Sequence, residues 1–210
     1  MKHLLDIDTW ARKEHYEFFS RFEEPFFGVC VDIDCSIAWQ QANAMETSFF
    51  LLYLHRSLVA ANEVTPFRYR INDGKVWVYD SVGASPTINR PDGTFGFGYM
   101  DYYPDYATFS VKAAEEVARV RNSKGLVPAI SGENVIHYSA LPWIDFSAVS
   151  HARAFSFPDS CPKISFGKMT EVHGRKRMSM SVHVHHGLMD GFHVGNFIDL
   201  FQQKMNDPLL

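Results

Sequence analysis

Residues 178–193 read Met-Ser-Met-Ser-Val-His-Val-His-His-Gly-Leu-Met-Asp-Gly-Phe-His, and this stretch decides the fold. Residues 178–185 alternate in type as a β-strand does. After Gly191, apolar residues recur at helical spacing, at Val194, Phe197, Ile198, Phe201 and Met205. The sequence therefore predicts a strand that runs through a short turn directly into a helix.

The histidines of this strand are separated by its geometry. Because side chains alternate between the two faces of a strand, His183 and His185 share one face and His186 belongs to the other. His186 comes at the end of the strand, where a loop can expose it, and Asp190 supplies turn chemistry before the helix. Histidine is the usual general base near neutral pH, so the pattern favours a catalytic base at His186. A hydrogen-bonded core histidine is the structural alternative.

A metal site is the second alternative for this stretch. His183, His185, His193 and Asp190 are possible ligands, but structural zinc needs four convergent ligands and catalytic zinc usually three. Since the strand alternation turns His186 away from the other strand histidines, only a subset could reach one ion. We therefore predict no metal.

Two further segments accompany the histidine stretch. Residues 10–18 read Trp-Ala-Arg-Lys-Glu-His-Tyr-Glu-Phe, and residues 138–146 read Tyr-Ser-Ala-Leu-Pro-Trp-Ile-Asp-Phe. Together with His-His-x-x-x-Asp-Gly-Phe-His-Val-Gly at 185–195, these blocks resemble the signature segments of the chloramphenicol acetyltransferase family, in the same order. The likeness covers essentially the whole chain. The shorter His-x-x-x-Asp-Gly core is also similar to the catalytic domain of dihydrolipoyl acyltransferases.

The resemblance implies transfer of an acetyl group from acetyl-CoA to a substrate hydroxyl by direct attack. In that chemistry His186 takes the hydroxyl proton, and Ser139 donates a hydrogen bond to the oxyanion. Asp190 would pair with Arg12 and hold the histidine loop in place. No metal or tightly bound cofactor is implied, and acetyl-CoA is the co-substrate. The family likeness further implies antibiotic resistance and a homotrimer with its sites at subunit interfaces.

The resemblance also suggests which residues bind the two substrates. Trp143 and Lys168 fall near coenzyme A, and the acceptor pocket would be formed by Phe19, Phe27, Phe95, Tyr138 and His151. Here the sequence departs from the family pattern, because Phe19 replaces a tyrosine and His151 and Arg153 stand at positions that are usually apolar. Buried polar groups need partners, so the transferase chemistry is better supported than chloramphenicol as acceptor.

Two other functions remain open from the sequence. One is a coenzyme A-dependent acyltransferase that acts on a different hydroxyl or amine. The other is a non-catalytic ligand-binding module on the same fold. For Ser139 alone, a strand hydroxyl bonded to the backbone is the structural alternative to catalysis, and for Trp143 it is a packing role.

Composition narrows the class of protein. The 210 residues are 46% hydrophobic, which suffices for one domain over residues 1–210. A net charge of -4 argues against nucleic acid as a partner. No apolar run approaches the roughly 20 residues needed to span a bilayer, and the N-terminus is unlike a signal peptide, so we expect no membrane association and a cytoplasmic location. Three cysteines without a paired spacing suggest reduced thiols.

Helical and strand patterns alternate irregularly along the chain. Helices are predicted over residues 9–22 after Asp8 or Thr9, over 36–62 after a Ser36 cap, over 110–121, and from Gly191 onward. Strands are predicted at 95–100, 135–140, 163–171 and 177–185, the last two joined by a basic turn, with a hairpin around Asn72-Asp73-Gly74. Since regular βαβ repetition is missing, the sequence predicts an α+β fold, a two-layer sandwich in which helices cover a mixed β-sheet. No glycine-rich phosphate loop occurs.

Overall fold

The computed structural model describes residues 1–126, 132–153 and 159–208. Within these ranges the helices are α1 (Lys13–Phe19), α2 (Ser36–Ala44), α3 (Phe49–Glu63), α4 (Tyr106–Arg121) and α5 (Gly191–Asn206). The strands are β1 (Lys2–Leu4), β2 (Phe26–Asp34), β3 (Tyr69–Asn72), β4 (Lys75–Tyr79), β5 (Gly83–Asn89), β6 (Phe95–Phe97), β7 (Val135–Ala140), β8 (Lys163–Val172) and β9 (Arg175–His185). This arrangement confirms the predicted α+β fold with a mixed sheet.

The larger sheet has the strand order β2-β9-β8-β7-β5-β6. Strand β7 runs parallel to both β5 and β8, whereas the β2–β9, β9–β8 and β5–β6 pairs are antiparallel. The register aligns Ser139 of β7 with Ser165 of β8, and Ser165 with Ser181 of β9. A smaller sheet, β1-β4-β3, contains the predicted hairpin, whose turn residues Asp73 and Gly74 both have positive φ.

The two faces of the larger sheet differ in character because side chains alternate along each strand. One face is apolar and packs against α2–α5 in the hydrophobic core, through Ile136, Tyr138, Ile164, Phe166, Val182 and Val184. The opposite face, which we call the polar face, carries the aligned side chains of His137, Ser139, Lys163, Ser165, Ser181 and His183. Among the described helices, none has the length and apolar character required to cross a bilayer.

Several predicted element boundaries are wrong. Helix α1 begins only at Lys13, because Asp8 binds the Lys13 ammonium at 2.6 Å instead of capping a helix. The predicted helix over 36–62 is divided in two, with Glu46 in a positive-φ conformation and Ser48 capping α3. Ser36 does not cap α2; its hydroxyl accepts the Lys176 N–H instead.

The remaining differences concern strand ends and a turn. Strand β6 ends at Phe97, and Met100 forms only an isolated bridge with Ala84. Helix α4 begins at Tyr106, four residues before the predicted start, because the Asp105 carboxylate accepts the Thr108 N–H at 2.7 Å. The β8–β9 turn consists of His173 and Gly174, both with positive φ, so the basic residues 175–177 lie in β9 rather than in the turn.

Candidate active site

His186 lies immediately after β9 and is held by its main chain and by two aromatic rings. Its N–H donates to the Pro25 carbonyl at 2.8 Å, and its carbonyl accepts from Arg12 Nη2 at 3.0 Å. The imidazole stacks on Phe19 with ring centroids 3.9 Å apart and planes 8° from parallel, and the Phe27 ring lies 4.6 Å away. Within the described ranges, Nδ1 of His186 is buried and makes no hydrogen bond. Packing and main-chain contacts therefore set the orientation of this ring.

Arg12 connects this loop to the start of α5. Its Nη1 binds Asp190 Oδ2 at 2.5 Å, and the Arg12 side chain is only 12% exposed. The Asp190 carboxylate also caps α5, since it accepts the Phe192 N–H at 3.1 Å, and its Oδ1 lies 2.8 Å from His193 Nδ1. The predicted Arg12–Asp190 ion pair is thus present, and Arg12 binds both ends of the loop that carries His186.

The environment of Asp190 keeps its carboxylate ionised. Burial by itself would raise the pKa, but hydrogen bonds from His193 and Arg12, with their charges, outweigh it and lower the pKa of Asp190 to about 2. The ion pair therefore persists throughout the neutral and mildly acidic range.

A second group of predicted residues surrounds a cavity of 680 Å³ on the polar face. Ser139, Phe95 and His151 line this cavity together with His137 and Lys163. The rings of His151 and His183 meet edge to face at 4.8 Å. Burial lowers the pKa of both His137 and His151 to about 4; Lys163 adds to the effect at His137, and His183 and Lys163 add to it at His151. Both imidazoles are therefore neutral at pH 7.

One chain does not bring the predicted base and the predicted oxyanion donor together. Ser139 of β7 is level with Ser181 of β9, which is two strands away. Ser181 in turn precedes His186 by five residues along the chain. Strands lie about 4.8 Å apart and residues rise about 3.3 Å along a strand, so the two residues are separated by roughly 19 Å. Phe19, Phe27, Arg12 and Asp190 accompany His186, whereas Phe95 and His151 accompany Ser139.

Tyr138 has its side chain on the opposite side of the sheet from the polar face. Its ring stacks on Phe166 and its hydroxyl lies 3.1 Å from the hydroxyl of Ser57, inside the hydrophobic core. Burial raises the pKa of this phenol. Although Tyr138 borders the cavity, this placement does not support a contact between its phenol and an acceptor.

Trp143 and Lys168 belong to two segments that are joined by a main-chain hydrogen bond. The Lys168 N–H donates to the Ile144 carbonyl at 2.8 Å, beside a register shift in β8 between Phe166 and Met169. Trp143 is 66% exposed, which is inconsistent with a packing role within this chain. The basic residues 175–177 of β9 form ion pairs with Asp34, Glu171 and Asp32.

Comparison with known proteins assigns the family. The family model described as chloramphenicol acetyltransferase matches residues 2–202. The chain belongs to the chloramphenicol acetyltransferase family. Members use acetyl-CoA as co-substrate, and the protein is an acetyl-CoA-dependent acyltransferase.

Individual relatives match almost the whole chain. Chloramphenicol acetyltransferase 3 of Escherichia coli is 28% identical over 208 residues, which are 98% of this chain and 97% of that protein. A solved structure of a chloramphenicol acetyltransferase has a TM-score of 0.92 and 30% identity, covering 98% of this chain and all of that one. A probable dihydrolipoamide acetyltransferase from Listeria monocytogenes shares the fold, with a TM-score of 0.69, 14% identity and coverage of 95% and 94%.

Some residues that line the cavity were not predicted from the sequence. Lys163 and Asp159 form an ion pair at the cavity, and no local sequence pattern distinguishes either residue. In the described part of the chain, a single set of possible metal ligands converges, with His137, Asp159 and Cys161 offering atoms within 4.8 Å of one another. This set differs from the residues 183–193 considered above, and the Lys163 ammonium already contacts its carboxylate.

Proposed function

We propose that the protein acetylates a hydroxyl of a small molecule by direct transfer from acetyl-CoA, with His186 as general base. The acceptor oxygen attacks the thioester carbonyl while the imidazole takes its proton. When the tetrahedral intermediate collapses, the carbon–sulfur bond breaks and the coenzyme A sulfur takes the proton back from the imidazolium. The observation that supports this assignment most directly is the imidazole fixed between Phe19 and Phe27 by anchors on both sides of its main chain.

Ser139 is our proposed oxyanion donor. It lies on the polar face and lines the cavity, so its hydroxyl is available to a bound molecule. Removal of one such donor typically lowers the rate about 10²–10³-fold, compared with about 10²–10⁴-fold for a general base. Trp143 and Lys168 are proposed to contact coenzyme A, for which their exposed position beside the cavity-forming strands is suitable.

The active site is proposed to form between subunits of a homotrimer. The roughly 19 Å between Ser139 and His186 within one chain exceeds any distance over which both could act on one carbonyl group. Phe18 and Phe22 pack against Phe19, which stacks on the His186 ring; they are 59% and 45% exposed and offer apolar surface for a neighbouring subunit. His186 of one subunit would then face the Ser139 cavity of the next.

Chloramphenicol is the first acceptor to test, because several curated relatives carry its name. We further propose a single domain that works in the cytoplasm, where the three free cysteines, Cys30, Cys35 and Cys161, would stay reduced.

The test is thiol release from acetyl-CoA with and without chloramphenicol. We expect wild-type release to require an acceptor, and His186→Ala to lower it by about 10²–10⁴-fold. His3→Ala, which removes an exposed histidine of β1, is the matched control and should keep wild-type turnover. Wild-type turnover by His186→Ala would refute the assignment of the base. If chloramphenicol does not promote release, other alcohols and amines are screened under the same conditions.

A further inference from the structure

The cavity beside Ser139 contains more hydrogen-bonding groups than acetyl transfer requires. In addition to Ser139, its walls include the hydroxyls of Ser85 and Thr87 and the imidazoles of His137 and His151. A wholly apolar occupant would take these groups out of water without replacing their hydrogen bonds, which is unfavourable. The lining therefore indicates an occupant that forms hydrogen bonds.

The charged groups of this cavity already have partners. The Lys163 ammonium contacts the Asp159 carboxylate, and Arg153 pairs with Glu24. Arg70 donates to four main-chain carbonyl oxygens at 2.5–2.9 Å. Because each cation already contacts a carboxylate or main-chain carbonyl oxygens of the protein, we expect none of them to bind an ionic acceptor.

The two imidazoles, in contrast, have unused hydrogen-bonding capacity. Nε2 of His151 is buried and has no partner among the residues that the structure describes. The pKa of His137 is lowered by burial and by neighbouring charges, and within the described part of the chain no hydrogen bond to its ring contributes. Both rings are neutral, so each presents one N–H donor and one acceptor nitrogen, which matches the donor and acceptor functions of a hydroxyl.

An aromatic wall completes the cavity. Phe95 and Phe97 line it and pack edge to face at 5.5 Å, with Phe95 partly exposed. Aromatic rings of this kind pack well against an aliphatic C–H surface. We propose that the acceptor is a small, uncharged, polyhydroxylated molecule of the pyranoside type, hydrogen-bonded by His137 and His151 and lying on Phe95. This inference rests on the proposed function, since it names the molecule that presents its hydroxyl beside Ser139.

The test compares acceptors in the thiol-release assay. Methyl pyranosides of several sugars, chloramphenicol and a small hydroxycarboxylic acid are each supplied with acetyl-CoA. We expect the best pyranoside to have a higher kcat/KM than chloramphenicol. His151→Leu should lower kcat/KM for that pyranoside about tenfold to a hundredfold and shift the preference towards chloramphenicol. His151→Gln, which keeps a donor and an acceptor, should stay within a few fold of wild type.

Three results would overturn the inference. The first is turnover of chloramphenicol without turnover of any pyranoside, which leaves the proposed function intact. The second is preference for the hydroxy acid, and the third is an unchanged acceptor preference in a folded His151→Leu protein. If no acceptor releases thiol, a binding measurement distinguishes the two proposals. Binding of methyl pyranosides is then measured by saturation-transfer NMR in the presence of coenzyme A. Binding that His151→Leu abolishes then supports the pocket assignment while the transferase assignment fails, and no binding overturns the pocket assignment.

Discussion

At the scale of single residues, Arg12 makes two hydrogen bonds that a positive charge without the guanidinium geometry could not make together. Its guanidinium binds Asp190 through Nη1 and the His186 carbonyl through Nη2. A lysine keeps the charge but offers one compact ammonium instead of a planar fork. We expect Arg12→Lys to lower kcat about tenfold, since His186 loses one main-chain anchor, while KM for acetyl-CoA changes little. Steady-state kinetics measure this, with Arg121→Lys at the exposed end of α4 as the matched control; equal kcat values for wild type and Arg12→Lys would contradict it.

Asp190 connects this ion pair to acid stability. Its pKa is about 2 in the folded protein, below the ordinary value of 3.8, so the carboxylate stabilises the fold above pH 4 and this contribution is lost as the pH falls from about 4 towards 2. After allowance for solvent screening it is worth roughly 1 kcal/mol. We expect Asp190→Asn to have a flatter dependence of the urea midpoint on pH in this window, and lower activity at pH 7 because His186 is misplaced. Parallel curves for the two proteins would exclude a role of Asp190 in acid unfolding.

The residues that could be predicted from the sequence are those with a local pattern. His186 and Asp190 stand out because a strand, a turn and a helix start follow one another within a few positions. Asp159 and Lys163 give no comparable pattern, because their pairing matters only through the cavity that the sheet assembles. The face of the sheet on which Tyr138 lies could be predicted from the sequence, because consecutive residues of a strand point to opposite faces and Ser139 follows Tyr138.

At the scale of elements, the break between α2 and α3 depends on Ser48. Its hydroxyl accepts the Leu51 N–H at 3.4 Å, a long bond that places the cap at the weak end of its usual range. We expect Ser48→Ala to lower the free energy of unfolding by about 0.5–1 kcal/mol, measured by urea denaturation. Ser110→Ala, inside α4, removes a similar hydroxyl from a position where alanine favours helix, and it should not destabilise the protein. A loss of the same size in both variants would speak against the cap.

Element types were predictable where the pattern is strong and local. The Asn72-Asp73-Gly74 turn, the strand over 178–185 and helix α5 were confirmed because turn residues or periodicity define them. The break near residue 46 was missed because neither glycine nor proline interrupts the apolar spacing, and Glu46 itself adopts the positive φ. The start of α1 was missed because Asp8 pairs with Lys13 rather than with main-chain N–H groups.

At the scale of the whole molecule, the strand order determines how the site can be assembled. With β8 between β7 and β9, Ser139 and His186 are two strands apart and five residues out of register, and the cavity lining and the side chains that hold His186 share no described residue. No local sequence pattern contains this information, because it depends on which strands become neighbours. The site between subunits that we propose would bring the two residues together, and it makes a quantitative prediction about mixed oligomers.

We expect two inactive variants to restore each other's activity. In trimers formed from equal amounts of His186→Ala and Ser139→Ala chains, an interface can combine His186 from one chain with Ser139 from its neighbour. Random assembly gives both intact residues at about one quarter of the interfaces, so co-expressed or co-refolded mixtures should show about one quarter of wild-type thiol release. The variants mixed after separate folding are the control and should stay inactive. If every site lay within one chain, each would carry a defect, and co-assembly would leave the activity at the mean of the two single variants.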